Sequence, residues 1–285
     1  MSMLVKLAGE RGVALPEMIF WRQAITLVCI FGVVCAMRRL PDLRTRRLGA
    51  HGRRAIYGIT GMFFVYGAVI LLPLAEATAI SFTAPFFAVM LSVILFREKI
   101  GLVRWGAVAL GFGGVLVLTQ PAMRMTNHLI DPFGAVVALV AAFFVALISF
   151  QVQDLNKTES PWSIVFWFTA FTTPLMALIL PFFIQPHSAE VWVIIGAMAL
   201  CGTVGQLLLT ASLRYGSAGV VLLMDYTALL WATWYSWSVF DHTPPSTLWL
   251  GAPLIIGAGL LIAWRERRLA VDKARSAAQA EAGLS

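Results

Sequence analysis

The stretch "MRRLPDLRTRRLGAHGRRA", residues 37–55, holds seven arginines: Arg38, Arg39, Arg44, Arg46, Arg47, Arg53 and Arg54. An apolar run over 17–37 precedes it and another over 55–73 follows it. A hydrocarbon core about 30 Å thick is crossed by about 20 helical residues, so each run is long enough to span one. Short loops rich in Lys and Arg face the cytoplasm. This stretch therefore reads as an inner loop between two membrane helices.

The rest of the chain agrees. Of its 285 residues 60% are hydrophobic and only 12% charged, with mean hydropathy +0.84. A soluble domain carries about a quarter charged residues, and one globular core cannot hide this much apolar surface. The net charge of +7 and pI near 9.8 do not call for nucleic acid, because the basic residues sit in short loops beside apolar runs. Cys29, Cys35 and Cys201 lie inside apolar runs, form no CxxC pair and read as packing groups.

Further apolar runs follow near 76–96, 101–119, 132–153, 161–184, 190–212, 217–240 and 246–264, which makes nine spans. The opening "MSMLVKLAG" reads as the last turns of another helix, with about 15–18 residues of it expected to be absent. Following the spans alternately puts Arg97, Lys99, Arg104, Lys157, Arg214 and the basic tail "RERRLAVDKAR" on the inner side with the loop. Only Arg11 and Arg124 fall in outer loops. The expected location is a bacterial inner membrane, with the C-terminus cytoplasmic.

The two halves resemble each other. "SFTAPFFAVMLSVILFREK" lies on "MDYTALLWATWYSWSVFDH" at an offset of 143, with Pro85 over Ala228 and Glu98 over Asp241. "GFGGVLVL" matches "IGAGLLIA" later on, and "PEMIFWR" matches "PWSIVFWF" earlier, placing Phe168 over Arg22. Five helices per half is an odd number, so the second half enters from the opposite side. Inverted repeats of this kind build secondary transporters with a central site near the midplane. The expected fold is all-α and integral to the membrane: a first repeat over 1–120 with most of its first helix missing, an inverted repeat over 131–264 and a cytoplasmic tail over 265–285.

The stretch "LLPLAEATAISFTAPFFAVMLSVILFREKIGLVRWGAVALGFGGVLVL" and, less closely, residues 213–263 resemble the drug/metabolite transporter superfamily, EamA type. The second half departs by carrying Ala228 for the proline and Asp241 for the glutamate. The resemblance implies a ten-helix carrier of small metabolites, often an exporter. It looks most like the bacterial amino-acid exporters, the aromatic amino-acid exporters of the YddG type among them.

Candidate site residues come next. Asp225, with Tyr226 beside it, stands in "LLMDYTALLW" (222–231), about 12 Å into its span at 1.5 Å per residue. A buried carboxylate there is either protonated and hydrogen-bonded, or lines a wet cavity and meets a substrate ammonium or a proton. Arg22, next to Trp21, lies about 8 Å in from the other face, roughly 10 Å short of Asp225 across a 30 Å core. It could attract a substrate carboxylate; otherwise it snorkels outward or pairs with Glu17. Thr78, Phe82 and Pro85 share one helical face with Val89, and Pro85 frees a backbone carbonyl. Tyr66 and Gln206, mid-span polar groups, are further candidates for the cavity. Glu76, at the outer end of its span, is expected to meet water. Trp162, Trp192, Trp249 and Trp264 read as interface anchors; Trp231, Trp234, Tyr235 and Trp237 lie deeper, near Asp225.

The four histidines, His51, His128, His187 and His242, lack metal-ligand spacing. "GFGGVLV" lies in a span, not between strand and helix. Gly58 with Gly61, and Gly202 with Gly205, read as close helix contacts. No catalytic constellation, metal or cofactor is expected. The expected function is a secondary transporter moving amino acids, aromatic and neutral ones included, out of the cytoplasm by alternating access, with Pro85 and Pro174 as hinges. Its partners are a small-molecule substrate and the bilayer, and a monomer is compatible with the pattern. The alternatives are a carrier of nucleotide-like or vitamin-like metabolites, or a non-transporting membrane assembly subunit.

Overall fold

Apolar runs bounded by proline and arginine dictate where the helices begin and end. In the computed structural model, which describes residues 1–96, 101–123, 132–215, 227–242 and 246–282, every regular element among them is helical. α1 is Ser2–Glu10 and α2 Leu15–Ala36, opened by Pro16 in its first turn and closed where Arg38 adopts φ 54°. α3 is Leu48–Leu71, α4 Leu74–Ser81, α5 Ala84–Phe96 and α6 Leu102–Met123. The second half holds α7 Pro132–Asn156, α8 Pro161–Ile179, α9 Ala189–Tyr215, α10 Thr227–Ser238 and α11 Ser246–Ala282. At the start of α8, Pro161 follows Ser160, whose hydroxyl accepts the Ser163 amide at 3.1 Å.

Among the described residues seven helical stretches, α4 and α5 counted together, are long and apolar enough to cross a membrane. Two fewer than nine appear for separate reasons. In α6 the stretch whose side chains are described, Trp105–Val117, is shorter than a span. The span expected over 217–240 is described only as α10, and Asp225, Tyr226 and Glu98 lie outside the described residues. Val28, Leu178, Leu208 and Trp249 point outward from helices that are also apolar inside. Helices hydrophobic all round belong in lipid.

The packing follows a two-fold pattern. α2 lies against α8, α4 against α10, and α6 along α11. The contact of α3 with α7 is mirrored by that of α9 with α1. Each pair consists of counterparts, or of one contact and its image, so one axis exchanges the halves.

Two straps tie the halves together at the rims. On the rim that the loop charges assign to the inside, the arginine loop is pinned to the α7–α8 turn: Thr45 donates to Glu159 at 2.6 Å, Arg47 pairs with Asp154, and Ser160 donates to the Asp42 carbonyl at 3.2 Å. Trp167 adds a bond to the Leu43 carbonyl at 2.8 Å. On the opposite rim, the outer one in that assignment, the α8–α9 loop is pinned to the α1–α2 turn, through His187 with Glu17 at 3.0 Å and Arg11 with Glu190.

Three expectations need correction. α3 starts at Leu48, so Arg54 is not a loop charge; its first two turns carry it into the bundle, where it is buried. Glu76 does not meet water: the tight turn at Leu72–Pro73 folds it under α1, beside Lys6, and it is buried. Lys6 Nζ donates to the Leu72 carbonyl at 2.7 Å, capping the carbonyl end of α3. Glu17 does not pair with Arg22, since His187 and Trp21 take it.

Candidate functional site

The break between α4 and α5 shapes the centre of the molecule. Pro85, in the first turn of α5, has no N–H to give the Ser81 carbonyl, so the preceding helix cannot continue. Phe82 and Thr83 turn instead: their amides donate to Ala79 (3.2 Å) and Ile80 (3.0 Å), and the Thr83 hydroxyl also donates to Ile80 at 2.8 Å. The new helix starts with Phe86 N–H on the Thr83 carbonyl at 2.9 Å.

A cavity of about 450 Å³ opens at this break. Thr78, Phe82 and Pro85 line it, as the helical spacing predicts, together with Ser81. Ala138, Ala141 and Ala142 of α7 form one wall; Ala228, Trp231, Ala232 and Tyr235 of α10 form the opposite one. The room exists because these positions are alanine. The Thr78 hydroxyl donates to the Leu74 carbonyl at 2.7 Å, which leaves its oxygen free to accept. Trp234 and Trp237, which the sequence groups with Trp231, are exposed on the outer surface and do not line it.

Arg22, Gln206, Tyr66 and Trp21 are not among the lining residues. The structure brings Arg22 and Gln206 together in a polar layer between α2, α3, α8 and α9. Arg22 is buried and turned inward rather than snorkelling: it donates to Gln23 Oε1 at 3.2 Å, Met62 Sδ at 3.1 Å and Gln206 Oε1 at 3.3 Å. Gln23 donates on to Thr172 at 2.6 Å, and Thr26 meets Thr203 at 2.7 Å. Tyr66 is buried within electrostatic reach of Arg22, with its hydroxyl unpartnered. Trp21 faces the outer rim, edge-on to Phe20 (5.1 Å between centroids) and Trp192 (5.0 Å).

Sequence reasoning passed over Gln23, Thr172, Arg54 and His51. One signal was available: His51, Arg54, Gly58, Met62 and Tyr66 recur every three or four residues and so share one face of α3. Among the described residues no cluster of His, Cys, Asp or Glu could hold a metal.

A span broken beside a cavity that both halves line, within a bundle of long apolar helices, fits a membrane carrier. The EamA-like transporter family model matches residues 1–120 and 132–264, and the chain belongs to that family. It is 27% identical to a riboflavin transporter of Vibrio cholerae over 86% of this chain and 82% of the relative. It is 25% identical to the pseudopaline exporter CntI of Pseudomonas aeruginosa over 90% and 89%, and 28% identical to a riboflavin transporter of Rhizobium johnstonii over 80% and 74%. A solved crystal structure superposes with TM-score 0.62 at 22% identity, covering 94% of this chain and 96% of that one, which shows the shared fold. The chain is a membrane transporter of small metabolites. The names of these relatives point to transport, not catalysis, and to substrates other than aromatic amino acids, so the YddG-type refinement is not confirmed by them.

Proposed function

We propose that the chain is a secondary carrier that moves a flat, mainly apolar metabolite of the vitamin-like class through the central cavity by alternating access. The observation that carries this reading is the cavity itself. Its volume of about 450 Å³ falls in the range of roughly 300–1,000 Å³ typical of small-molecule sites. Alanine walls, with Phe82, Trp231 and Tyr235 at the edges, suit an aromatic plate; Thr78, Ser81 and Tyr235 supply polar contacts along its rim. A packed, non-transporting subunit would lack such a space. The similarity to two riboflavin transporters supports the substrate class. In this reading the repeats over 1–120 and 131–264 rock against each other in an inner membrane, with the tail over 265–285 in the cytoplasm.

A second reading, export of aromatic and neutral amino acids, is favoured by Asp225. At the repeat offset of 143 it is the counterpart of Phe82, a lining residue. Its carboxylate, with Tyr226 beside it, would take the substrate ammonium.

Proteoliposomes carrying the purified protein separate the two. Labelled riboflavin is expected to exchange, and Ala228→Phe, which fills the cavity, to slow that exchange by about tenfold or more. Exchange of phenylalanine but not riboflavin, abolished by Asp225→Asn, would favour the second reading. Full flux in Ala228→Phe would remove the cavity from the transport path.

A further inference from the structure

Two arginines lie inside the bundle with no acidic partner. Arg22 and Arg54 are both buried, and among the described residues neither makes an ion pair. Arg22 Nε and Arg54 Nε and Nη1 have no hydrogen-bond partner at all. Arg54 stacks on the Phe168 ring at 4.3 Å, and the two guanidinium groups are within electrostatic reach of each other. His51, one turn from Arg54 on the same face of α3, is fully buried with both ring nitrogens unpartnered. The nearby carboxylates are engaged elsewhere: Glu159 holds Thr45 and Ser163, and Asp154 holds Arg47.

The backbone makes room for these cations. A Cβ at Gly58 would overlap Arg54 Nη1, and one at Gly202 would sit 2.8 Å from Arg22 Nε. These glycines therefore seat guanidinium groups rather than serving only as helix contacts. Two desolvated cations that repel each other, with donors unspent, are costly in a membrane interior. A negative ligand between them removes that cost, and guanidinium donors match the planar fork of a carboxylate or phosphate.

We infer that Arg22 and Arg54 form an anion site beside the cavity, which takes a carboxylate or phosphate group of the transported molecule. Met1 joins the two spaces: it lines the cavity, and its Sδ approaches the same Gly202 position as Arg22 Nε. The inference rests on the reading above for the cavity and adds the charge of the cargo.

The test uses the purified full chain with benzoate, phenyl phosphate and neutral benzamide as probes. The readout is tryptophan fluorescence, which Trp21 beside Arg22 and Trp167 beside His51 make sensitive to the site. One or both anions are expected to bind at least about tenfold more tightly than benzamide; which of the two gains more identifies carboxylate or phosphate as the source. Arg22→Gln and Arg54→Gln are each expected to erase that preference. Equal affinity for all three probes, or a preference that survives both substitutions, overturns the inference. Should either variant fail to fold, the wild-type protein decides. Benzoate, and not benzamide, is expected to protect Arg22 and Arg54 from phenylglyoxal; no protection, or no modification in its absence, overturns the inference. Loss of flux in Ala228→Phe without any anion preference sinks the arginine site and leaves the carrier reading standing; anion binding without flux does the reverse.

Discussion

Single residues decide where this bundle packs tightly. Gly111 and Gly113 lie in the same helix, two positions apart, and meet different surroundings. A Cβ at Gly111 would overlap the fully buried Phe86 ring, whereas one at Gly113 meets nothing within 4 Å. Gly111→Ala should therefore cost about 1–3 kcal/mol through overpacking. Gly113→Ala should be neutral or stabilising by about 1 kcal/mol through helix propensity alone. Thermal melts in detergent read both; equal shifts would mean that Phe86 moves aside freely. Charged residues were the hardest to place from sequence. Arg54 read as a loop charge and Glu76 as a span-end charge meeting water, yet both are buried, as are Lys6 and Glu17. Their partners, where they have them, come from far along the chain, such as Leu72 for Lys6 and His187 for Glu17. Hydropathy along one segment carries no record of such meetings.

Among the elements, the interrupted span α4–α5 differs from its neighbours in being built to stop. Pro85 and the Thr83 turn interrupt it beside the cavity, and this break was legible: a proline in an apolar run, on a face shared with Thr78 and Phe82, is a local signal. Pro85→Ala restores the missing N–H and lets the two pieces join. It is expected to hold or raise thermal stability, since an interior proline costs a helix about 3 kcal/mol, and to cut substrate exchange several-fold. Unchanged exchange would show that the joint plays no part in the cycle. By contrast, Pro174 sits within α8 without breaking it and lies on its outer side. The expected hinge there is replaced by an intact helix.

At the scale of the whole molecule, the all-helical membrane fold and most of its spans could be read from run length and composition. The polar layer between α2, α3, α8 and α9 could not, because it joins four helices whose separate patterns are ordinary. The two rim straps bear on motion. Loosening the outer one with His187→Ala should raise the rate at which an impermeant maleimide, added outside, labels a cysteine at Ser81 in a background lacking Cys29, Cys35 and Cys201. Loosening the inner one with Thr45→Val and Asp154→Ala should lower it. Shifts of the same sign, or none, would mean that the straps hold the fold without setting the orientation of the cavity.

The straps are related by the two-fold axis in position but not in chemistry. Both use a guanidinium and two carboxylates, but one adds a threonine hydroxyl and bonds to main-chain carbonyls, the other an imidazole. Unfastening them is therefore two different events with two different barriers. A carrier coupled to no ion gradient must still obey detailed balance, so Vmax/KM has to agree for the two faces of the bilayer. Unequal clasps then surface as a tighter half-saturation on one face, matched there by a proportionally slower maximal rate.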